Sequence, residues 1–309
     1  MIRISGVNKK YQDIKALDHV DLEIGKGELF GLLGPNGAGK TSLIKILCGL
    51  LSVNSGDIFI NGLDLRKDIT SIKRIIGIVP QDLAIYKDLT AYENIRFFAS
   101  LYGLKGKALK AAVEETLEFT GLSDSARKKP KTFSGGMKRR LNIACGLAHS
   151  PKILFMDEPT VGIDPQTRNH ILESVRQLNR KGCTVIYTTH YMEEAESLCS
   201  RIAIIDHGKI IAQGSREELQ SLIKDYNRFV VTMKQSYSIV IDTLRKIQGV
   251  LRVEQQGPRV LIDNDLGIDN LEQIISYFTE SGFKLHDFRM EAPNLEMVFL
   301  TLTGRKLRD

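Results

Sequence analysis

No apolar run in this sequence approaches the ~20 residues that a helix needs to cross a bilayer, which excludes a membrane-spanning helix. The first residues, Met1-Ile2-Arg3-Ile4-Ser5-Gly6-Val7, alternate like a strand and lack a secretory apolar region. The expectation is therefore a cytoplasmic chain. Cysteine is scarce: Cys48, Cys145, Cys183 and Cys199 form no CxxC pair, and no Cys/His cluster has ligand spacing. Buried free thiols are the reading, rather than disulfides or a metal site. No internal repeat, low-complexity tract or sustained heptad run is visible, and neither sign of charge dominates, with 43 Lys and Arg against 37 Asp and Glu. The net charge is +6 over 309 residues with the basic positions scattered, so charge alone designates neither nucleic acid nor an anionic membrane as partner. What remains is a globular composition, 42% hydrophobic and 26% charged, at a length that suggests two domains.

The most informative stretch is Gly34-Pro35-Asn36-Gly37-Ala38-Gly39-Lys40-Thr41-Ser42. It follows the apolar run Leu29–Leu33, which reads as a buried strand, and precedes a helical segment, as a phosphate-binding P-loop requires. Gly34, Gly37 and Gly39 permit a tight turn whose N–H groups converge on phosphate oxygens, at the positive end of the helix. Lys40 is placed to reach the outer phosphates, and the Thr41 hydroxyl to ligate Mg²⁺. The plainer reading, a glycine turn capping a helix, does not account for the full pattern and both flanks.

Around this stretch, strands are predicted at 2–7, 17–24, 28–33 and 57–62, and an apolar run spans Ile75–Val79 before Pro80 and Gln81. Thr90-Ala91-Tyr92-Glu93 matches a capping box and opens a helical insert of about 90–150. Ile153–Met156 and Thr184–Thr189 read as strands buried on both faces. The first ends in Asp157-Glu158 and the second at His190. Asp164-Pro165 reads as an N-cap followed by proline at the first helical position. Residues 1–222 form the first predicted domain. Residues 223–309 form the second, with the order strand (228–233), helix (238–248), strand (250–255), strand (259–263), helix (269–281), strand (283–290), helix (294–303). Its first six elements give the ferredoxin-like βαββαβ order.

Asp157 at a buried strand end is placed to hold Mg²⁺ through its waters, and Glu158 to accept a proton from an attacking water. Ser134-Gly135-Gly136 at a helix start offers a second phosphate-ready N-terminus, although alone it reads as an ordinary serine cap.

In combination these segments resemble the ATP-binding cassette (ABC) family over residues 1 to about 220. Phe133-Ser134-Gly135-Gly136-Met137 matches the family signature, usually Leu-Ser-Gly-Gly-Gln, and departs from it at Phe133 and Met137. The resemblance implies an α/β P-loop ATPase core with an antiparallel β subdomain and a helical subdomain, followed by the small α+β domain. It implies roles for further residues. Tyr11 matches the aromatic that stacks on adenine, Gln81 the glutamine near Mg²⁺ and the attacking water, Asp164 the D-loop aspartate and His190 the switch histidine at the γ-phosphate. Plainer readings stand beside each: a half-buried tyrosine, a polar turn residue, an N-cap, a structural histidine. ATP and Mg²⁺ are the implied cofactors. The family's geometry sandwiches two ATP molecules in a head-to-tail dimer, so the chain is expected to pair with itself or a close relative, with the Ser134–Met137 segment acting in trans.

The segment from Glu291 to Gly304 resembles the closing motif of bacterial drug- and antibiotic-resistance exporter ATPases. The plainer reading is an amphipathic helix with Leu295, Val298, Phe299 and Leu302 as its apolar face. The resemblance implies an exporter subunit on the cytoplasmic face of the membrane. It would work with a separate integral membrane permease docked at the helical insert, and would move a drug or lipid-like compound. A non-transport ATPase acting on ribosomes or DNA is the second possibility, against which no second cassette, coiled coil or zinc site is present, and no nucleic-acid partner is expected. A sodium or metabolite exporter of the same design is a third.

Overall fold

The computed structural model describes residues 1–223, 226–236, 239, 241–265, 267–291 and 294–304. Two compact units are present, one of Met1–Arg216 and a second that begins at Glu217.

In the first unit, β1 (Ile2–Tyr11) and β2 (Ile14–Ile24) are longer than the predicted strands and meet at a two-residue turn, with Gln12 at φ +50°. Next come β3 (Leu29–Leu33), α1 (Lys40–Leu47), β4 (Ser55–Ile60), β5 (Leu63–Asp64), α2 (Ile69–Ile75) and β6 (Ile76–Val79). The short α2 is absent from the sequence reading, which gave Ile75–Val79 as one apolar run. Its last residue is Ile75, and the apolar run turns extended only at Ile76. The helical insert holds α3 (Ala91–Leu101), α4 (Gly106–Phe119) and α5 (Gly135–Leu147), with single 3₁₀ turns at Ser123–Ser125 and Pro130–Thr132. The Thr90 capping box forms in full: Thr90 Oγ1 accepts from Glu93 N, and Glu93 Oε2 accepts from Thr90 N at 2.7 Å. The unit is completed by β7 (Ile153–Asp157), α6 (Pro165–Arg180), β8 (Thr184–Thr189), α7 (Met192–Leu198), β9 (Arg201–Asp206) and β10 (Lys209–Gly214).

A four-stranded antiparallel sheet runs β2-β1-β4-β5, and a six-stranded sheet runs β10-β9-β3-β8-β7-β6. In the larger sheet β9, β3, β8, β7 and β6 are parallel, and only β10 runs antiparallel. The period of two along these strands divides two cores. Phe155 and Ile186 enter the core shared with α1 and the antiparallel sheet. Leu154, Met156, Val185 and Tyr187 enter the core shared with α5 and α6. The predicted burial on both faces is thus met, with every residue of β7 and β8 buried. Because the five strands are parallel, their carboxyl ends lie along one edge, where the functional loops of open α/β sheets gather.

The boundary falls at the first residue of α8 (Arg216–Ser221), and the second unit continues with β11 (Tyr226–Met233), α9 (Ile241–Arg245), β12 (Val250–Gln256), β13 (Arg259–Asp265), α10 (Leu271–Glu280), β14 (Leu285–Glu291) and α11 (Leu295–Thr303). Its antiparallel sheet runs β12-β13-β11-β14 over a core that includes Phe229, Val231, Ile262, Leu244 and Phe278, so the βαββαβ order closes as predicted. Two details differ. The described part of the predicted helix 238–248 is only Ile241–Arg245, and the chain then turns before Gly249, whose φ is +90°. Ser238 and Val240 of that prediction lie outside the described residues. In α11 Leu302 is 41% exposed while Met297 is fully buried with Leu295, Val298 and Phe299, so burial is concentrated in the first turns rather than along a full stripe. Ala292 and Pro293 of the closing motif also lie outside the described residues.

Candidate nucleotide-binding site

The site is assembled at the carboxyl ends of β3, β8 and β7, neighbours in the sheet. Register places Leu33 beside Thr189 and Asp157 beside Thr188, so the P-loop, His190 and the Asp157-Glu158 pair leave the sheet at one level. Glycine is required at two points of the loop. Added Cβ atoms on Gly34 and Gly39 would stand 2.3 Å from the Ile205 carbonyl and 2.6 Å from the Ala16 carbonyl, and Gly39 has φ +112°. Gly37 has φ +81° with open space where a Cβ would stand. The loop is closed by Ala38 N donating to Pro35 O at 3.2 Å, and α1 starts directly at Lys40.

Lys40 and Glu158 are each only 4% exposed. Lys40 Nζ donates to the Gly34 and Pro35 carbonyls at 2.7 and 3.0 Å and stands 3.0 Å from Glu158 Oε1. The other oxygen, Glu158 Oε2, is 3.0 Å from His190 Nδ1. Glu158 has φ +46°, an uncommon conformation for a residue with a side chain. Its N–H is fixed by Thr188, which accepts through Oγ1 at 3.0 Å and through its carbonyl at 3.2 Å. The same Thr188 hydroxyl donates to Asp157 Oδ1 at 2.7 Å. An ammonium, a carboxylate and an imidazole are therefore held in line behind a backbone cradle for anions.

A cavity of about 320 Å³ opens in front of this line. Pro35, Asn36, Gly37, Gly39, Lys40, Thr41, Ser42, Gln81 and Glu158 all border it. Gly34, Ala38, Asp157 and His190 are not among its lining residues. Tyr11 is not part of it. Its ring is 40% exposed with the Lys9 ammonium 5.2 Å from the centroid, and its cross-strand partner Ile14 borders the cavity instead.

Ser134, Gly135, Gly136 and Met137 also lie outside the cavity. Ser134 caps α5, its Oγ accepting from Met137 N at 3.2 Å. Asp164 caps α6, Oδ1 accepting from Thr167 N at 2.9 Å, and that bond holds its carboxyl below the usual range. The two helix starts touch: a Cβ on Gly136 would stand 2.6 Å from Thr167 Oγ1.

Several residues escaped the sequence reading. Ile14, Lys15 and Ala16 of the first hairpin and His207 of the β9–β10 turn border the cavity, brought there by sheet pairing that no local motif encodes. Arg139 and Asn142 lie on the buried side of α5. Arg139 donates to the Gln81 carbonyl at 2.7 Å, and Asn142 donates to the Pro80 carbonyl at 3.2 Å. Burial lowers the Arg139 pKa. Polar residues three apart on a core-facing helix stripe were the available signal.

The family described as "ABC transporter" matches residues 17–161. The chain is 42% identical to the linearmycin resistance ATP-binding protein LnrL of Bacillus subtilis (strain 168), with 100% of each chain covered. It is 34% identical to the daunorubicin resistance ATP-binding protein DrrA3 of Streptomyces coeruleorubidus, covering 98% of this chain and 96% of that one. It is 35% identical to a Nod factor export ATP-binding protein of Cupriavidus pinatubonensis, covering 100% and 92%. Among solved structures, a dimeric ATP-binding cassette in a post-hydrolysis state with ADP and Pi superposes with TM-score 0.65 at 29% identity, over 70% of this chain and 98% of that one.

Proposed function

Since the chain belongs to the ABC transporter family of ATP-binding proteins, we propose that it is the ATP-hydrolysing subunit of an exporter for a drug or lipid-like compound. It binds and hydrolyses ATP as an exporter subunit; the compound class rests on relatives whose names specify linearmycin, daunorubicin and Nod factor. The ribosome- or DNA-acting alternative gains no support from them.

The observation that carries the mechanism is the line Lys40–Glu158–His190 at the cavity edge. Lys40 binds the outer phosphates, in exchange for its bond to Glu158, together with the N–H groups of residues 37–42. Glu158, released from that ion pair, orients the attacking water and takes its proton, while His190 holds Oε2 and contacts the γ-phosphate. Tyr11 offers an exposed ring to the adenine. Thr41, Gln81 and Asp157 form an all-oxygen donor set with Asp157 Oδ1 already engaged, which fits Mg²⁺ carried with a triphosphate rather than an all-protein cage. That ion supplies neutralisation of phosphate charge.

Ser134, Gly135, Gly136 and Met137 stand outside their own chain's cavity, which supports their acting on the nucleotide of a second protomer, with Asp164 beside them. Docking of a separately encoded permease, at the cytoplasmic face of the membrane, is supported by apolar side chains left open after Gln81. Leu83, Tyr86, Phe97 and Leu101 are 40%, 49%, 37% and 64% exposed, and the Tyr86 and Phe97 rings stand 5.1 Å apart, as an apolar interaction surface would require. The test is copurification from a detergent extract. An integral membrane protein should accompany the chain; ribosomes or DNA in its place would overturn the reading.

A further inference from the structure

We propose that Glu194 is a positioning residue that locks the loops carrying Glu158, His190 and Asp164 into one unit, so that a displacement at Asp164 reaches the reacting groups. The inference rests on the roles just given to Glu158 and His190.

The Glu194 carboxylate is 3% exposed and receives three hydroxyl groups. Thr160 Oγ1 donates to Oε1 at 2.7 Å, and Tyr187 Oη and Thr189 Oγ1 each donate to Oε2 at 3.0 Å. Arg168 Nε stands 3.5 Å from Oε1. These partners come from separate stretches. Thr160 follows two residues after Glu158. Tyr187 and Thr189 belong to β8, with Thr189 next to His190. Arg168 sits one turn into α6, its N–H donating to the Asp164 carbonyl at 2.9 Å.

Two features tie the hub to His190 itself. The Thr189 hydroxyl, while donating to Glu194, accepts from Tyr191 N at 2.9 Å and so spans the backbone on both sides of His190. The Arg168 guanidinium lies 4.8 Å from the Tyr191 ring centroid, and that ring is 4.2 Å from the His190 ring. A carboxylate suits this position best, because it accepts at both oxygens from the three O–H donors and balances the nearby cation. An amide presents one oxygen and turns an NH₂ group toward at least one donor. A hub that only stabilised the fold would have no need to gather the flanks of the base, the switch histidine and the Asp164 cap.

The test compares Glu194→Gln, Arg168→Gln and the double variant in the full chain, measuring kcat and KM for ATP together with Tm. Glu194→Gln should lower kcat roughly 10- to 100-fold, as misplacement of reacting groups does, with KM within about threefold of wild type. Arg168 is partly exposed, so Arg168→Gln should fold and lower kcat by a smaller factor in the same way. The double variant should fall no further than Glu194→Gln, since both act through one network. Turnover within about twofold of wild type in either single variant would overturn the proposal, as would additive losses or a parallel collapse of KM and Tm in Arg168→Gln. If Glu194→Gln does not fold, Arg168→Gln decides alone. Glu158→Gln is assayed alongside: normal turnover there removes the underlying base assignment, whereas loss there with an active Glu194→Gln removes only the hub.

Discussion

The two units bury charge in opposite ways. In the second, Arg228 Nε and Nη2 meet Asp263 Oδ1 and Oδ2 at 2.6 and 3.2 Å, a two-pronged pair on adjacent strands. In the first, Lys40 and Glu158 are buried as deeply but share their bonds with backbone carbonyls and His190, and both border a cavity. Neither Arg228 nor Asp263 lines the cavity of the first unit, and the pair contributes to the shape of its own sheet. The Lys40–Glu158 pair exchanges partners when an anion arrives. The same residue chemistry is therefore structural in one place and functional in the other, and the difference lies in whether the pair ends a parallel strand or crosses an antiparallel one.

The comparison breaks most readily at Glu158. Glu158→Gln keeps the volume and removes the proton acceptor. Hydrolysis should fall by at least about 10²-fold, the usual weight of a general base, while ATP still binds and ATP-bound dimers accumulate. Turnover and gel-filtration mass with ATP measure both. Lys40→Ala comes next. It deletes a cation aimed at phosphate, so nucleotide affinity or turnover should fall about 10-fold or more, read by titration with a fluorescent ATP analogue.

How much of this was legible beforehand follows the range of the interactions. The P-loop, the strand-end acids and the capping box are encoded within a few neighbouring residues, and Thr90 with Glu93 forms as its spacing implies. The alternation of Leu154, Phe155 and Met156 likewise assigns the two cores. Glu194 was not legible: its partners lie between 5 and 34 positions away and meet only through the crossover from β7 to β8. Arg139 reaches the Gln81 carbonyl across 58 positions for the same reason. In α11 the error was one of extent, because a helical repeat gives the direction of a buried stripe but not where the surface cuts it off, and Leu302 falls beyond the cut.

A smaller effect sharpens the contrast from the other side. Asp263→Asn removes the bonded counter-charge of Arg228, leaving only the more distant Glu291 and Glu296, and should cost up to about 3–5 kcal/mol of stability in the second unit. ATP affinity in the first unit should stay at the wild-type value. Replacing both partners, Arg228→Met with Asp263→Leu, should recover most of the loss, since an apolar pair of similar volume avoids desolvation. Chemical denaturation and ATP titration on the same samples separate the two outcomes. A matching loss of ATP affinity would show that the Arg228–Asp263 pair is not confined to a structural role.

The smallest expected effect concerns Asp164, whose charge is exposed rather than buried. Its carboxylate accepts the Thr167 N–H, which lowers its pKa in the folded chain. A depressed folded pKa means that the stabilisation is complete above the ordinary aspartate value near ~4 and is lost as the pH falls through the lower folded value. Asp164→Asn retains an oxygen for the cap but cannot titrate. The two proteins should therefore differ slightly in Tm at neutral pH, in favour of wild type through the α6 dipole. The difference should shrink as the pH is lowered below ~4, where protonation removes the charge from the wild-type cap. A difference that grows on acidification would mean that the Asp164 carboxylate is not held by the helix start, and that its place beside Gly136 reflects another interaction.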